Sequence, residues 1–367
     1  MKKLLIALLI LSCVFTLVAC FDIGSGQTTT EPPHVHDWTD WVVQSIASCT
    51  NNGYQFRNCR DCGIEDGIYT REYGHDYKWL YNESDDIIEN ICLRCGDVLN
   101  SLQCIEGTPG LEYYFDEDED VYHVVGVGDC TEEHITVPSM YNGKLVTSID
   151  VSAFYKCEFL KSITLSDNLF YIEGSAFYGC VNLETVSISR SSMLRYISRG
   201  AFEDCVSLKS IRLPEGLTMI YDRAFNNCAS LEEIDLPNSL THLGEAAFSG
   251  CTSLKSVDLS CEITTIKSRT FYRCTSLESV VIPDNITRIE KDAFGYCPSL
   301  TFVFIPDSVT SIEQYAFGHV WKIFCEAQSR PNGFWFDWNP GEHSAIWGST
   351  LQDYYDAKES YTPEHND

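Results

Sequence analysis

Between residues 150 and 320 the apolar positions follow one recurring phrase rather than the period of a long helix or a single sheet. In the unit from Phe202 to Ala224 they are Phe202, Cys205, Leu208, Ile211, Leu213, Leu217, Ile220 and Ala224. The stretch Leu208-Lys-Ser-Ile211-Arg-Leu213 ends in apolar–polar alternation and predicts a short strand. Pro214 follows it, and Pro237, Pro283 and Pro306 hold the same place in other units. Proline lacks an N–H and suits the first residue past a strand. Asp222-Arg-Ala-Phe225, polar before two apolar residues, predicts a single helical turn.

The landmark phenylalanines are Phe154, Phe177, Phe202, Phe225, Phe248, Phe271, Phe294 and Phe317, spaced by 23 residues apart from one step of 25. A period of this size predicts a solenoid, because one unit cannot bury its own apolar side chains and must stack on its copies. Phenylalanine then stacks on phenylalanine, leucine on leucine and alanine on alanine. The alanine column (Ala153, Ala176, Ala201, Ala224, Ala247, Ala293, Ala316) is broken only by Thr270. A larger side chain there should overpack the coil, at a cost of about 1–3 kcal/mol. Cysteine recurs in phase at Cys157, Cys180, Cys205, Cys228, Cys251, Cys274 and Cys297, with Val320 in the eighth unit. Stacked strands lie about 4.8 Å apart with parallel side chains, whereas a disulfide needs sulfurs at about 2.05 Å and a particular dihedral. Buried free thiols packing as small apolar groups fit the column better, and Val320 can only pack.

This arrangement resembles the BspA-like leucine-rich-repeat family of microbial surface proteins, whose units carry the same Ala-Phe, Cys, Leu, Ile-x-Leu-Pro phrase. The segment from Ile135 to Ile149 resembles that family's first, capping unit, and Ile323 to Asn339, with Trp347 beyond, resembles its C-terminal cap. The resemblance covers about residues 106–348. It implies a leucine-rich-repeat solenoid with short parallel strands and short helical turns, and a role in adhesion through protein binding.

The chain opens with Lys2 and Lys3 before an apolar run from Leu4 to Ala19, as in a secretory signal. Leu17-Val-Ala-Cys20 resembles a bacterial lipobox, which implies lipidation at Cys20 and a protein held on the outer membrane face. Residues 21–33 read as a flexible linker, and residues 349–367 as a loose acidic tail. A net charge of −28 argues against nucleic acid and against a polybasic lipid contact. Asp116-Glu-Asp-Glu-Asp120 lacks the spaced ligands and glycine of a calcium loop and reads as a solvated turn.

Residues 34–105 carry different chemistry. Cys59-x-x-Cys62-Gly63 and Cys92-x-x-Cys95-Gly96 are two knuckles whose spacing lets two thiolates hold one metal above a glycine turn. With His36 and Cys49 the first makes a Cys₃His set. His75, in a phrase echoing that around His36, joins the second, with Cys104 as its fourth candidate ligand. The segment reads as a duplication, and resembles small zinc-ribbon-like modules that accompany repeat domains in surface proteins of anaerobic bacteria. Structural zinc is the expectation, because disulfides would need no histidines. Extracellular disulfides, thiol redox chemistry or one shared Cys₄ ion are the alternatives.

Strand residues flanking the central Ile or Val should point outward. One outward column alternates in sign: Lys161, Glu184, Lys209, Glu232, Lys255, Glu278. Two others are polar, with Arg212, Glu233, Asp235 and Asp258 as candidate contacts, and turn apolar at Val281, Phe302 and Phe304. Those last residues either extend an interaction patch or lie beneath the aromatic segment Trp335, Phe336 and Trp338. No Ser/His/Asp phrase, phosphate loop or H-E-x-x-H helix is present. The expectation is a lipid-anchored, non-enzymatic surface protein binding a protein or glycan on a host or neighbouring cell. An extracellular metal- or thiol-dependent enzyme and an envelope scaffold are the alternatives.

Overall fold

The computed structural model describes the strands between residues 42 and 103, then residues 104–360 apart from 260–261, 319, 321, 336 and 339–344. The chain forms two compact units, Met1–Leu80 with Glu89–Asn100, and Tyr81–Ile88 with Ser101–Asp367. Val42–Ser45, Gly53–Asn58 and Glu65–Thr70 make a three-stranded antiparallel sheet. Tyr77–Asn82, Ile87–Cys92 and Val98–Gln103 make a second three-stranded sheet with the same sequential order.

The large unit is a parallel β-solenoid. A hairpin, Glu112–Asp116 against Val121–Gly126, begins it, and Val121–Gly126 then pairs in parallel with Lys144–Ile149. From there each coil contributes one short strand to each of two rows. The first row runs from His134–Thr136 through strands such as Thr185–Ser187, Glu233–Asp235 and Phe302–Ile305 to Ala345–Trp347. The second row runs through Tyr171–Ile172, Met219–Ile220 and Arg288–Ile289 to Gly333–Phe334. Pairing is in register, as in Ile163↔Val186 and Ile220↔Leu243. A column of the repeat in sequence is therefore a column in space.

The eight landmark phenylalanines are buried and stack nearly parallel, with centroid steps of 5.0, 5.0, 5.2, 5.3, 5.7, 5.3 and 5.3 Å. The widest step, Phe248 to Phe271, lies where Thr270 replaces alanine. Thr270 is buried there because its hydroxyl donates to the Lys267 carbonyl at 2.8 Å.

The expected helical turn around each phenylalanine is not formed. The segment is a run of turns, and the residue two before each phenylalanine takes a left-handed φ: Ser152, Ser175, Gly200, Arg223, Ala246, Arg269, Asp292 and Tyr315. The residue two after does the same at Lys156, Gly179, Asp204, Asn227, Gly250, Arg273 and Tyr296. Most are not glycine, so the conformation costs energy locally. Inter-coil hydrogen bonding offsets it. The N–H groups of Arg223, Phe225 and Asn227 donate to the carbonyls of Glu245, Ala247 and Ser249 on the next coil, at 2.9, 2.8 and 2.7 Å. The intervening N–H groups of Ala224, Asn226 and Cys228 turn back to Tyr221, Arg223 and Phe225. A helix would aim all six donors along its own axis and leave the coils unjoined.

The repeat cysteines are buried free thiols. They do more than pack: Sγ of Cys180, Cys205, Cys228, Cys251, Cys274 and Cys297 lies 2.9–3.2 Å from the phenylalanine carbonyl of the preceding coil, as its donor. Burial pushes the Cys157 and Cys297 thiols up to about 12, and those of Cys205, Cys228, Cys251 and Cys274 upward as well.

At the far end Trp338 closes the phenylalanine stack, edge-on to Phe317 at 6.2 Å. The segment read as a loose tail contains a helix, α1 (Leu351–Ser360). Thr350 and Asp353 start it with a reciprocal cap: the Thr350 N–H donates to the Asp353 carboxylate at 2.7 Å, and the Asp353 N–H to the Thr350 hydroxyl at 3.2 Å.

Candidate binding surface

The outward side of the first row is the surface on which the repeat places variable residues. In each short strand the central Ile or Val is buried, while its two flanking residues face out, as in Glu233–Asp235 and Ser256–Asp258. The alternating charge column at the start of these strands is paired internally from Lys161 to Lys255. Lys161 pairs with Glu133 at 2.6 Å, Lys209 with Glu184 at 2.6 Å and Lys255 with Glu232 at 3.0 Å. The lysines hold the Glu133 and Glu184 carboxyls below the usual range. By contrast, Arg212, Glu233 and Asp235 make no side-chain hydrogen bond or ion pair among the described residues. All three are exposed, as is Asp258, which stacks on Asp235 in the ladder.

A groove of about 460 Å³ runs over this face, lined by Thr164, Asp167, Thr185, Ser187, Ser210 and Arg212, with Ile105 at its side. It lies at the coil whose step is 25 residues. That coil's Ile188 and Ser189 also line it, and its loop is tied down by Ser189 Oγ to Ser191 Oγ at 2.8 Å and by the Met193 N–H to the Asp167 carbonyl at 2.7 Å. Smaller hollows continue from it along the row. One passes Lys209, Glu232 and Lys255, and the other Arg190, Arg212, Glu215 and Asp235. Asp167, Ser189 and Ile105 are absent from the residues expected from sequence. The two-residue lengthening between Phe177 and Phe202 was the signal for Ser189.

Two expected face residues are misplaced by the sequence reading. Phe302 and Phe304 are buried, so they do not extend an exposed patch. They pack with Phe324 beneath Tyr354 of α1, rather than beneath Trp335, which is exposed, or Trp338, which caps the phenylalanine stack. Val281, beside Phe304 in the ladder, remains 38% exposed.

Of the candidate metal ligands, His36, Cys49, Cys59, Cys62, His75 and Cys95 lie outside the described residues, as does Cys20. Cys92 is buried at the end of its strand, and Cys104 is partly buried. Among the described residues no three histidine, cysteine or acidic side chains gather as a metal site. The strands bear on the fit. Gly53–Asn58 pairs antiparallel with Glu65–Thr70, Asn58 opposite Glu65, and the first knuckle falls between the two strands in sequence. The second knuckle likewise falls in sequence at the end of Ile87–Cys92 and before its neighbour Val98–Gln103. The C-x-x-C spacing of each knuckle is one at which two thiolates can hold one ion.

The stacked in-register coils, leucine columns and open strand row define a leucine-rich-repeat solenoid, a fold typical of non-enzymatic protein-binding proteins. Residues 129–196 and 195–323 match the BspA type leucine rich repeat region, in six copies. That is more than half of the chain, and the protein belongs to this family. A leucine-rich repeat protein from Bacteroides ovatus is 26% identical, with a TM-score of 0.54 over 66% of this chain and 70% of that one. A leucine-rich repeat protein from T. pallidum is 28% identical, with a TM-score of 0.49 over 53% of this chain and 91% of that one. No curated protein matches the sequence.

Proposed function

We propose that this protein is anchored through lipid at Cys20 on the outer face of a bacterial membrane and binds a protein or glycan of a host or neighbouring cell through the first-row face. One observation carries the binding assignment. The single coil that departs from the 23-residue step lies under the groove of about 460 Å³ on that face, next to charges left uncommitted by the solenoid. A register-keeping charge ladder needs no such irregularity. The reading is adhesive rather than catalytic, because the groove is open and mixes serines, threonines, Asp167 and Arg212 with the aliphatic Ile105, Leu165, Val186 and Ile188, as a broad contact surface does. The cysteine-rich module is proposed to hold two structural zinc ions, one at each knuckle. In that role zinc would contribute folding energy to a small domain and leave no open coordination position.

The full chain carrying Arg212→Gln, Glu233→Gln, Asp235→Asn and Asp258→Asn tests the face. A partner captured by the wild type from host-cell or envelope extracts should bind this variant at least about tenfold more weakly, with an unchanged melting temperature. Undiminished binding would remove the face assignment.

A further inference from the structure

The first-row face does not stop at its exposed rungs but continues beneath α1, and that cover is thin. Tyr354 is fully buried and Ala357 partly buried, while the other residues of α1 are exposed. The Tyr354 ring sits 6.4 Å from Phe304 and 6.1 Å from Phe324, and Phe302 completes the seat at 6.4 Å from Phe324. The seat suits a ring but gives nothing to a hydroxyl. The Tyr354 hydroxyl is buried and has no hydrogen-bond partner among the described residues. Burying a hydroxyl unpaired is unfavourable, so the ring is held and its oxygen penalised at the same site. The helix adds little of its own, since ten residues are too few to persist alone in water. Its exposed Asp353, Asp356 and Glu359 leave it soluble when lifted. A permanent end cap would bury an apolar stripe, and α1 buries one ring.

We infer that Phe302, Phe304 and Phe324 form a second, concealed binding seat at the end of the first-row face, with α1 as its removable cover. Its partner is a protein helix presenting a phenylalanine. Phenylalanine is the fitting occupant because it fills the space of the Tyr354 ring without the stranded hydroxyl. Val281, exposed beside Phe304, gives the incoming helix an apolar approach. The seat belongs to the last coils and does not depend on what the groove binds.

Three measurements test this on the full chain. In hydrogen exchange, the α1 amides of the wild type should exchange at least about a hundredfold faster than those around Phe225, whose coil is bonded on both sides. Tyr354→Phe should slow them. With Tyr354→Ala, which lifts the cover, a labelled peptide of residues 349–361 should bind in trans. The same peptide carrying Tyr354→Phe should bind at least about fivefold tighter, the lower end of what an unsatisfied buried hydroxyl costs. Exchange in α1 as slow as in the central coils would overturn the inference. So would a Tyr354→Phe chain whose helix exchanges faster, or Tyr354→Ala protein that keeps its solenoid circular dichroism yet binds neither peptide.

Discussion

Raising the pH should loosen this solenoid through its thiols. Cys157, Cys205, Cys228, Cys251, Cys274, Cys297 and Cys325 are buried, and burial is the main cause that pushes each thiol up. In the unfolded chain a cysteine titrates near about 8.5. The folded value is the higher one, so each thiol's contribution is fully present below about pH 8.5 and is lost as pH rises toward about 12, where Cys157, Cys297 and Cys325 lie. Within that window each thiol withdraws about 1.4 kcal/mol per pH unit. At pH 9.5 the seven together withdraw about 10 kcal/mol, comparable with the whole stability of an ordinary domain. That figure is an upper bound, because ionised thiols in so acidic an unfolded chain repel its carboxylates. The assay is the urea midpoint by circular dichroism at pH 7.5, 8.5 and 9.5 with reductant present, below the titration of most tyrosines and lysines. A chain with Cys205→Val, Cys228→Val and Cys251→Val, substitutions already represented by Val320, should show a pH dependence smaller by about three sevenths. A midpoint that stays level from pH 8.5 to 9.5, or falls as steeply in the triple variant, would show that the buried thiols do not set the pH dependence.

Phe225→Ala removes a ring stacked at 5.2 Å on Phe202 and 5.3 Å on Phe248 and should cost about 3–5 kcal/mol in denaturant unfolding. Its exchange defect should be greatest in the coils on either side, because coils contact only their neighbours. Lys209→Ala should return the Glu184 carboxyl toward its ordinary range, read by carbon-detected NMR titration, since Lys209 is the main cause of its lowering. Purified protein should hold close to two zinc ions per chain by mass spectrometry. Chelation should release them and unfold the cysteine-rich module while leaving the solenoid's melting temperature in place; disulfides and no zinc would reject that assignment.

The columns were legible because in-register stacking turns every sequence period into a spatial one. Phe154 to Phe317, the alanine column and the outward charges follow from the spacing alone. Cross-coil bonding was not legible. Arg223, Arg269 and Tyr315 carry no sequence mark of a left-handed φ, since the demand comes from carbonyls one coil away, and the sequence favoured a helical turn instead. The donor role of the thiols was hidden for the same reason, because valine at position 320 makes cysteine look merely apolar. Helix α1 had a local signal, the Thr350–Asp353 cap ahead of Tyr354, which the acidic composition of the tail obscured. That helix also explains why two aromatics of a polar strand face are covered. The groove's one sequence trace was the 25-residue step.

Whether the first-row face meets the partner can be read by side-chain footprinting of the full chain with and without its captured partner. Protection should concentrate at Arg212, Glu233, Asp235 and Asp258, and at Ile105 beside the groove. The second row, including Met219 and His242, should remain as reactive as in the free protein. Protection of Met219 and His242 with Arg212 and Glu233 unchanged would place the partner on the second row instead.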